Sequence, residues 1–277
     1  MINLLIAEQR KIFKRGFLWV MLAVLVAITL AGNIIQLVMM PADLNSPEAQ
    51  GTIQNLTLPH ALAILPSLGS AAGLGSLLVV ILVGILQGQE YGWRSLHLWL
   101  SQGFPRSWLI WAKYLVLMMA GLLIVIMPVL VGGVHAIFLT QHYHGSLNLA
   151  EIDFWQVALS ILRGLYTLLP YISLGLFLAV MTRSTVAPVA GGILFVLIVE
   201  SLAGQLLPLL GEKWAMVAQF TPQNLATNLT IINQASRTGV TEIPLLDPWI
   251  ATIGIGVYSI IFLGVTLLVF RRQDLHG

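Results

Sequence analysis

EYGWRSLHLWLSQGFPRSWLIWAK, residues 90–113, lies between two long apolar runs and decides how this chain is read. Gly88 and Gly92 let a preceding helix end and turn, and Pro105 suits the first turn of the next. Leu96, Leu98, Trp99 and Leu100 fall between these breaks. The pattern predicts a short helix lying across a membrane face, followed by a turn and a new span.

Working outward, the composition requires a bilayer. The chain has 277 residues, 58% of them hydrophobic and 9% charged, with a mean hydropathy of +0.91. Soluble domains carry about 25% charged residues, and so few ionisable groups cannot cover a water-exposed surface of this size. The formal charge of +2 is uninformative as a total. The absence of cysteine excludes disulfides, thiolate metal sites and cysteine nucleophiles.

A helix needs about 20 apolar residues to cross the hydrocarbon core. Six segments qualify: 17–40, 61–87, 112–139, 155–182, 185–210 and 248–270. Helix is the required state, because an open sheet leaves backbone groups unpaired in lipid. The first segment exceeds the roughly 7–15 apolar residues of a signal peptide and is read as a retained span. Thr182, Arg183 and Ser184 make the fourth and fifth spans a tight hairpin.

Charge placement sets the orientation. Arg10, Lys11, Lys14, Arg15, Arg94, Arg106, Lys113, Arg183, Arg271 and Arg272 collect on one side, against Lys213 and Arg237 on the other. The positive-inside rule makes the first side cytoplasmic, with both termini. Residues 1–16 interleave Ile2, Leu5, Ile6, Ile12 and Phe13 with charged groups, the pattern of an amphipathic helix at an anionic leaflet.

The acidic-Tyr-Gly start (Glu90, Tyr91, Gly92), the short apolar helix, the Pro105-Arg106 turn and Lys113 at the next span resemble the coupling segment of type-2 permeases of ATP-binding-cassette (ABC) transporters. The resemblance extends over nearly the whole chain: an amphipathic N-terminal helix, six spans, cytoplasmic ends and a long external segment before the last span. It implies an all-α membrane protein, one transmembrane domain over 1–277, with six transmembrane helices, an N-terminal amphipathic interfacial helix, a cytoplasmic coupling helix in 88–111 and short external helices in 211–247. Carried over by position, Glu90, Tyr91, Gly92 and Arg94 open the coupling segment, and Pro105 and Arg106 close it. Arg94 stands where many members carry Thr. The resemblance further implies a bacterial cell membrane, a second permease subunit in a homodimer or heterodimer, and export of an amphipathic or hydrophobic substrate such as a peptide antibiotic, a drug or a lipid. The sequence has no GxxxxGK[ST] phosphate loop. For a transporter of this class, ATP and Mg are then expected on separate ATPase subunits, with no cofactor bound by this chain.

Within the spans, Arg163 and Glu200 are costly to bury, roughly 2.5–3.5 kcal/mol each on insertion scales. Counted from the outer ends of the fourth and fifth spans, both lie roughly 12–15 Å deep. That matching depth predicts an Arg163–Glu200 ion pair, as a structural clasp or as part of a substrate path. Asn33 and Gln36 near the outer end of the first span are read as interhelical polar contacts or pathway residues. His135 is assigned to the outer interface. Gly69 and Gly73 carry a GxxxG spacing, with Gly75, Gly132 and Gly133 adding close-packing positions. His142, His144, Glu151 and Asp153 form a polar outer loop whose spacing fixes no metal site.

Two other function classes find less support in the sequence. An intramembrane enzyme lacks support, since no HExxH, GxSxG or paired-carboxylate site is present. An ion-coupled secondary transporter would show internal repeats and helices broken at mid-membrane. Pro128 and Pro170 could break helices, but the two halves do not repeat.

Overall fold

The computed structural model describes residues 2–92, 105–147, 150, 152–238 and 246–273. Among these residues every regular element is helical. A short α1 (Ile2–Lys14) precedes α2 (Gly16–Val38). Then come α3 (Pro47–Leu56), α4 (His60–Gly69) and α5 (Gly75–Gly92). The long α6 (Arg106–His144) and α7 (Phe154–Thr182) lead into α8 (Val186–Leu210). After them follow α9 (Glu212–Gln219), α10 (Pro222–Thr238) and α11 (Pro248–Arg272). Among the described residues five helices, α2, α6, α7, α8 and α11, are long and apolar enough to cross a membrane. The chain is thus built as a multi-pass membrane protein.

Helix ends follow from local chemistry. Ser46 accepts from the Ala49 N–H with Pro47 in the first turn of α3, Asp153 accepts from Trp155 and Gln156 at α7, and Asp247 accepts from Trp249 ahead of α11. Each satisfies N–H groups that a helix start leaves orphaned. Arg183 takes a left-handed conformation (φ 51°) and ends α7 at the turn into α8.

The bundle has two ends. α1, the last turn of α5, the first turns of α6 and the last turn of α11 meet at what we call the terminal end. α3, the α3–α4 link and the last turns of α6 lie at the far end. Between them the core is formed by Leu82, Val83, Ile110, Ile124, Leu168 and Ile172, all essentially inaccessible. Lipid is as apolar as leucine, so close packing rather than the hydrophobic effect holds such helices together. Glycines provide that closeness: a Cβ at Gly192 would lie 1.8 Å from Val80 Cγ1, and one at Gly88 would lie 2.4 Å from the Thr185 Cα. α5 and α8 therefore touch almost backbone to backbone.

Residues 61–87, expected as one continuous span, are instead α4 and α5 with a break between Gly69 and Gly75. Gly69 is pressed against α6, where a Cβ would come within 2.3 Å of the Ile124 carbonyl oxygen. Gly75 folds back on Gly69, its would-be Cβ 2.0 Å from the Gly69 oxygen. The freed backbone groups find partners: Leu74 N–H donates to Leu68 O (2.9 Å), and Ala71 N–H to the Thr167 hydroxyl of α7 (3.1 Å). Irregular backbone at membrane depth is tolerated where protein buries and satisfies it.

Within the segment 211–247, expected to lie outside the spans, the described residues 212–238 fold back among them. Its tip, between α9 and α10, meets α8 and α11: the Gln223 N–H donates to Glu200 (3.2 Å), and Tyr258 donates to the Phe220 carbonyl (3.1 Å). Tyr258 lies ten residues into α11, about 15 Å along it. α10 then returns toward the far end, burying Leu225 and Leu229 against Ala251 and Ile255 of α11. Its polar side chains make this possible by satisfying themselves. Thr227 donates to Gln223 O, Asn228 to Asn224 O and Thr230 to Ala226 O, each one turn back along the helix.

Candidate functional site

The terminal end holds a buried charge cluster made from three helices. Leu4, Glu8 and Ile12 recur every fourth residue on one face of α1, and that face packs on α6. Glu8 therefore enters with the apolar stripe. It meets Lys113, two turns into α6, whose ammonium lies 3.4 Å from both Glu8 oxygens. Glu90, near the end of α5, also binds Lys113 and accepts from Lys11 at 2.9 Å. Lys11 closes the ring to Glu8 at 3.1 Å. Glu8, Glu90 and Lys113 are 3%, 4% and 3% exposed, so these charges are shielded from water. Arg15 adds an outer tie, donating to the Gln89 side-chain oxygen at 2.5 Å.

Among the described residues the cluster pairs two carboxylates with two ammoniums, and each carboxylate touches both cations. Burial pushes the Glu90 carboxyl up, but Lys113 and Lys11 beside it outweigh this and hold it below its ordinary 4.5. Burial lowers Lys11, and Glu90 and Glu8 more than restore it, leaving it above 10.5. The sign follows: the carboxylate contribution is fully present above pH 4.5 and is lost as pH falls through the depressed value, while the Lys11 contribution is present below 10.5 and lost at higher pH. Docking of α1, read by protease protection of the N-terminus in detergent, should be unchanged between pH 5 and 9 and weaken only outside that window. Release of α1 between pH 6 and 7 would contradict the pairing.

The structure distributes the expected coupling residues unevenly. Glu90, Tyr91 and Gly92 form the last turn of α5. Arg94 and the expected coupling helix fall in 93–104, outside the described residues. Pro105 is the N-cap of α6. Arg106 has a role that the sequence does not announce: its guanidinium donates to the carbonyl oxygens of Phe270 (3.3 Å), Arg271 (3.2 Å) and Gln273. It caps the carboxyl end of α11, where orphan carbonyls and the helix dipole favour a cation. Gln273 in turn donates to Val180 O of α7 (2.6 Å). The flanks of 93–104 are therefore tied to α1, α11 and, through α11, to α7.

The expected Arg163–Glu200 ion pair does not form. Arg163 donates to Asn233 of α10 (2.6 Å). Glu200 is 3% exposed and accepts from the Tyr171 hydroxyl at 2.9 and 3.0 Å as well as from the Gln223 N–H. Counting depth from the outer ends misplaces the two residues, because α7 and α8 differ in length and share only the turn at 183–185. From that turn Arg163 lies about 29 Å along α7 and Glu200 about 21 Å along α8. Glu200 instead faces the tip of the re-entrant hairpin. A π-helical stretch, Phe195–Glu200, ends at this residue, and such stretches often mark functional positions.

Replacing Glu200 by Leu strands the Tyr171 hydroxyl and the Gln223 N–H, each at about 1–3 kcal/mol. Hydrogen exchange at residues 220–226 should then rise at least tenfold, an estimate of order set by one lost bond. Unchanged protection would remove Glu200 as the anchor of the tip.

Asn33 is buried and its amide lies 3.3 Å from His135 Nδ1, joining α2 to α6, whereas Gln36 is exposed. Asn33 thus acts between helices, and His135 faces it. Glu8 and Lys11 belong to the site although no sequence motif marks them. The available signal was Glu8 itself, an acid on the apolar stripe of a basic helix, which requires a buried cation.

Among known families, residues 34–276 match one described as protein of unknown function (DUF2705). No curated protein matches the chain.

Proposed function

The chain belongs to the DUF2705 family of unknown function, and from this premise we propose that it is the permease subunit of an ATP-driven ABC exporter. In this reading α4 and α5 together make an interrupted sixth crossing, and both termini are cytoplasmic. Separate ATPase subunits dock at 93–104, and a second permease subunit completes the pathway for an amphipathic or hydrophobic substrate. The observation that carries the reading is the wiring of the terminal end. Glu90 and Lys113, one on each flank of 93–104, share a buried cluster with α1, and Arg106 grips the end of α11. A push passed to the flanks of this segment reaches α1, α5, α6 and α11 through these contacts. ATP-driven rocking of two halves needs such an input, and the sequence has no phosphate loop of its own.

The test exploits the absence of cysteine. A single cysteine at Ser95 or Ser101 should crosslink to a co-expressed ATPase subunit and be protected by it from maleimide labelling. Co-purification without crosslinking from either position would move the docking surface elsewhere. No co-purification, together with unchanged ATP-dependent transport after Glu90→Gln and Arg94→Ala, would reject the reading.

A second reading is favoured by one observation. The mid-bundle break at 70–74 and the buried Glu200 fit an ion-coupled secondary transporter, whose sites lie at discontinuous helices. Proteoliposomes holding this chain alone separate the two: uptake driven by a proton gradient without ATPase would select the second.

A further inference from the structure

At the far end of the bundle, α3 stands over a half-open cleft of about 720 Å³. Small-molecule sites span about 300–1,000 Å³. One wall is a stripe of α3: Pro47, Gln50, Gly51 and Gln54 follow at helical spacing, so all four share a face. The floor is the link at Thr57, Leu58 and Pro59, pinned to α6 where the Leu58 N–H donates to Thr140 Oγ1 at 2.8 Å. His60 and, across the cleft, His144 and Ser146 complete the lining.

Among the described residues the lining contains no Asp, Glu, Lys or Arg. A charged ligand would lose hydration there without gaining a counter-charge. What the cleft offers is neutral hydrogen bonding beside small apolar surfaces from the prolines, Ile53 and Leu58. The Gln50 amide donates to Leu44 O (3.0 Å), and the Gln54 amide lies 3.3 Å from His60 Nε2. Among the described residues neither glutamine side-chain oxygen receives a donor, so both are open to a ligand N–H.

Their spacing selects the ligand. One helical turn separates Gln50 from Gln54, a rise of about 6 Å. In an extended chain the peptide groups on one side repeat about every 6.6–6.8 Å. A carboxamide carries both donor and acceptor functions, complementary to a peptide unit. Two carboxamides at this interval therefore match alternate peptide groups of one strand.

Gly51 keeps the space open. A Cβ built on it meets nothing within 4 Å, and its backbone is ordinary helix, so neither close packing nor a turn calls for glycine. In a helix it costs about 1 kcal/mol relative to alanine. Its effect on this wall is to leave a gap between the two glutamines.

From this geometry we infer that the far-end cleft binds an extended, uncharged peptide segment. The inference is independent of the transport reading, because binding here needs neither ATPase nor a second subunit. The test uses purified full-length protein in nanodiscs and the probe acetyl-Ala-Ser-Val-Ser-Ala-amide, followed by titration calorimetry. Wild type and Gly51→Ala should bind it saturably. Gly51→Trp, which fills the gap, and the double variant Gln50→Leu/Gln54→Leu should each weaken binding by about tenfold or more. The same peptide with Lys or Asp at both ends should bind more weakly by a similar factor. Unaltered melting of Gly51→Trp shows that its loss is local, and the glutamine pair provides an independent arm should it misfold. Absence of saturable binding in wild type, or binding that survives both variants, overturns the inference. So does displacement of the peptide by a neutral trisaccharide at equal concentration, which would make the cleft a sugar site.

Discussion

Lys113→Met should destabilise the detergent-solubilised protein by about 3–5 kcal/mol, the loss expected when one partner of a buried ionic group is removed. The reason is net charge. With Lys113 gone, Glu8 and Glu90 lose the buried ammonium they share, and the pairing of two carboxylates with two ammoniums is broken. Glu90→Gln should cost a comparable amount by leaving an excess ammonium. The double variant Lys113→Met/Glu90→Gln leaves Glu8 with Lys11, a neutral pair, and should recover most of the loss. Two single losses that add in the double variant would mean that the residues act independently, against the geometry. The readout is equilibrium unfolding in mixed micelles analysed as a double-mutant cycle. The same set separates stability from coupling: in the proposed exporter the double variant should fold yet transmit ATPase strokes poorly, because α1 is no longer joined to both flanks of 93–104.

Gly69→Val is expected to be as damaging, by a steric route. The new Cβ would lie 2.3 Å from the Ile124 carbonyl oxygen and 2.6 Å from the Val125 Cα. These are backbone atoms of α6, so no rotamer change relieves the overlap, and α4 must part from α6. Overpacking costs about 1–3 kcal/mol and more where backbone has to shift. A loss of about 3 kcal/mol or greater, with little folded material recovered, is the expected outcome. Gly32→Ala in α2 is the control. Its Cβ meets nothing within 4 Å, and better helix propensity should leave stability equal or raised by up to about 1 kcal/mol. Similar behaviour of the two variants would show that glycine contacts do not set the α4–α6 distance.

The long apolar runs were legible because lipid leaves a chain little choice. A run of about 20 apolar residues must be a helix with its backbone satisfied internally. The interruption at 70–74 was not legible. Its residues are as apolar as their neighbours, and the break is sustained by Thr167, a side chain 96 positions away that receives the Ala71 N–H. The α10 helix is hidden for the opposite reason: its asparagines and threonines make it look too polar to enter, and the one-turn-back bonds of Thr227, Asn228 and Thr230, with Asn224 donating to Ala218 O and Asn233 accepting from Arg163, offset that penalty. The Arg163–Glu200 pairing failed on where depth was counted from. The charge cluster was half legible. Glu90 and Lys113 bound one segment in the sequence, whereas their partner Glu8 shows only as an acid on an apolar stripe.

The re-entrant hairpin also bears on how topology experiments on this chain will read. A loop that dips in and returns on the same side changes no downstream sidedness. Enzyme reporters fused anywhere between 211 and 247 should therefore all give one answer and leave the dip unseen. Solvent-access labelling should resolve it. In a chain with no native thiol, cysteines walked from Glu212 to Gln223 should react progressively more slowly with an impermeant maleimide. The low rates should continue along α10 at its buried positions Leu225, Ala226, Leu229 and Thr230.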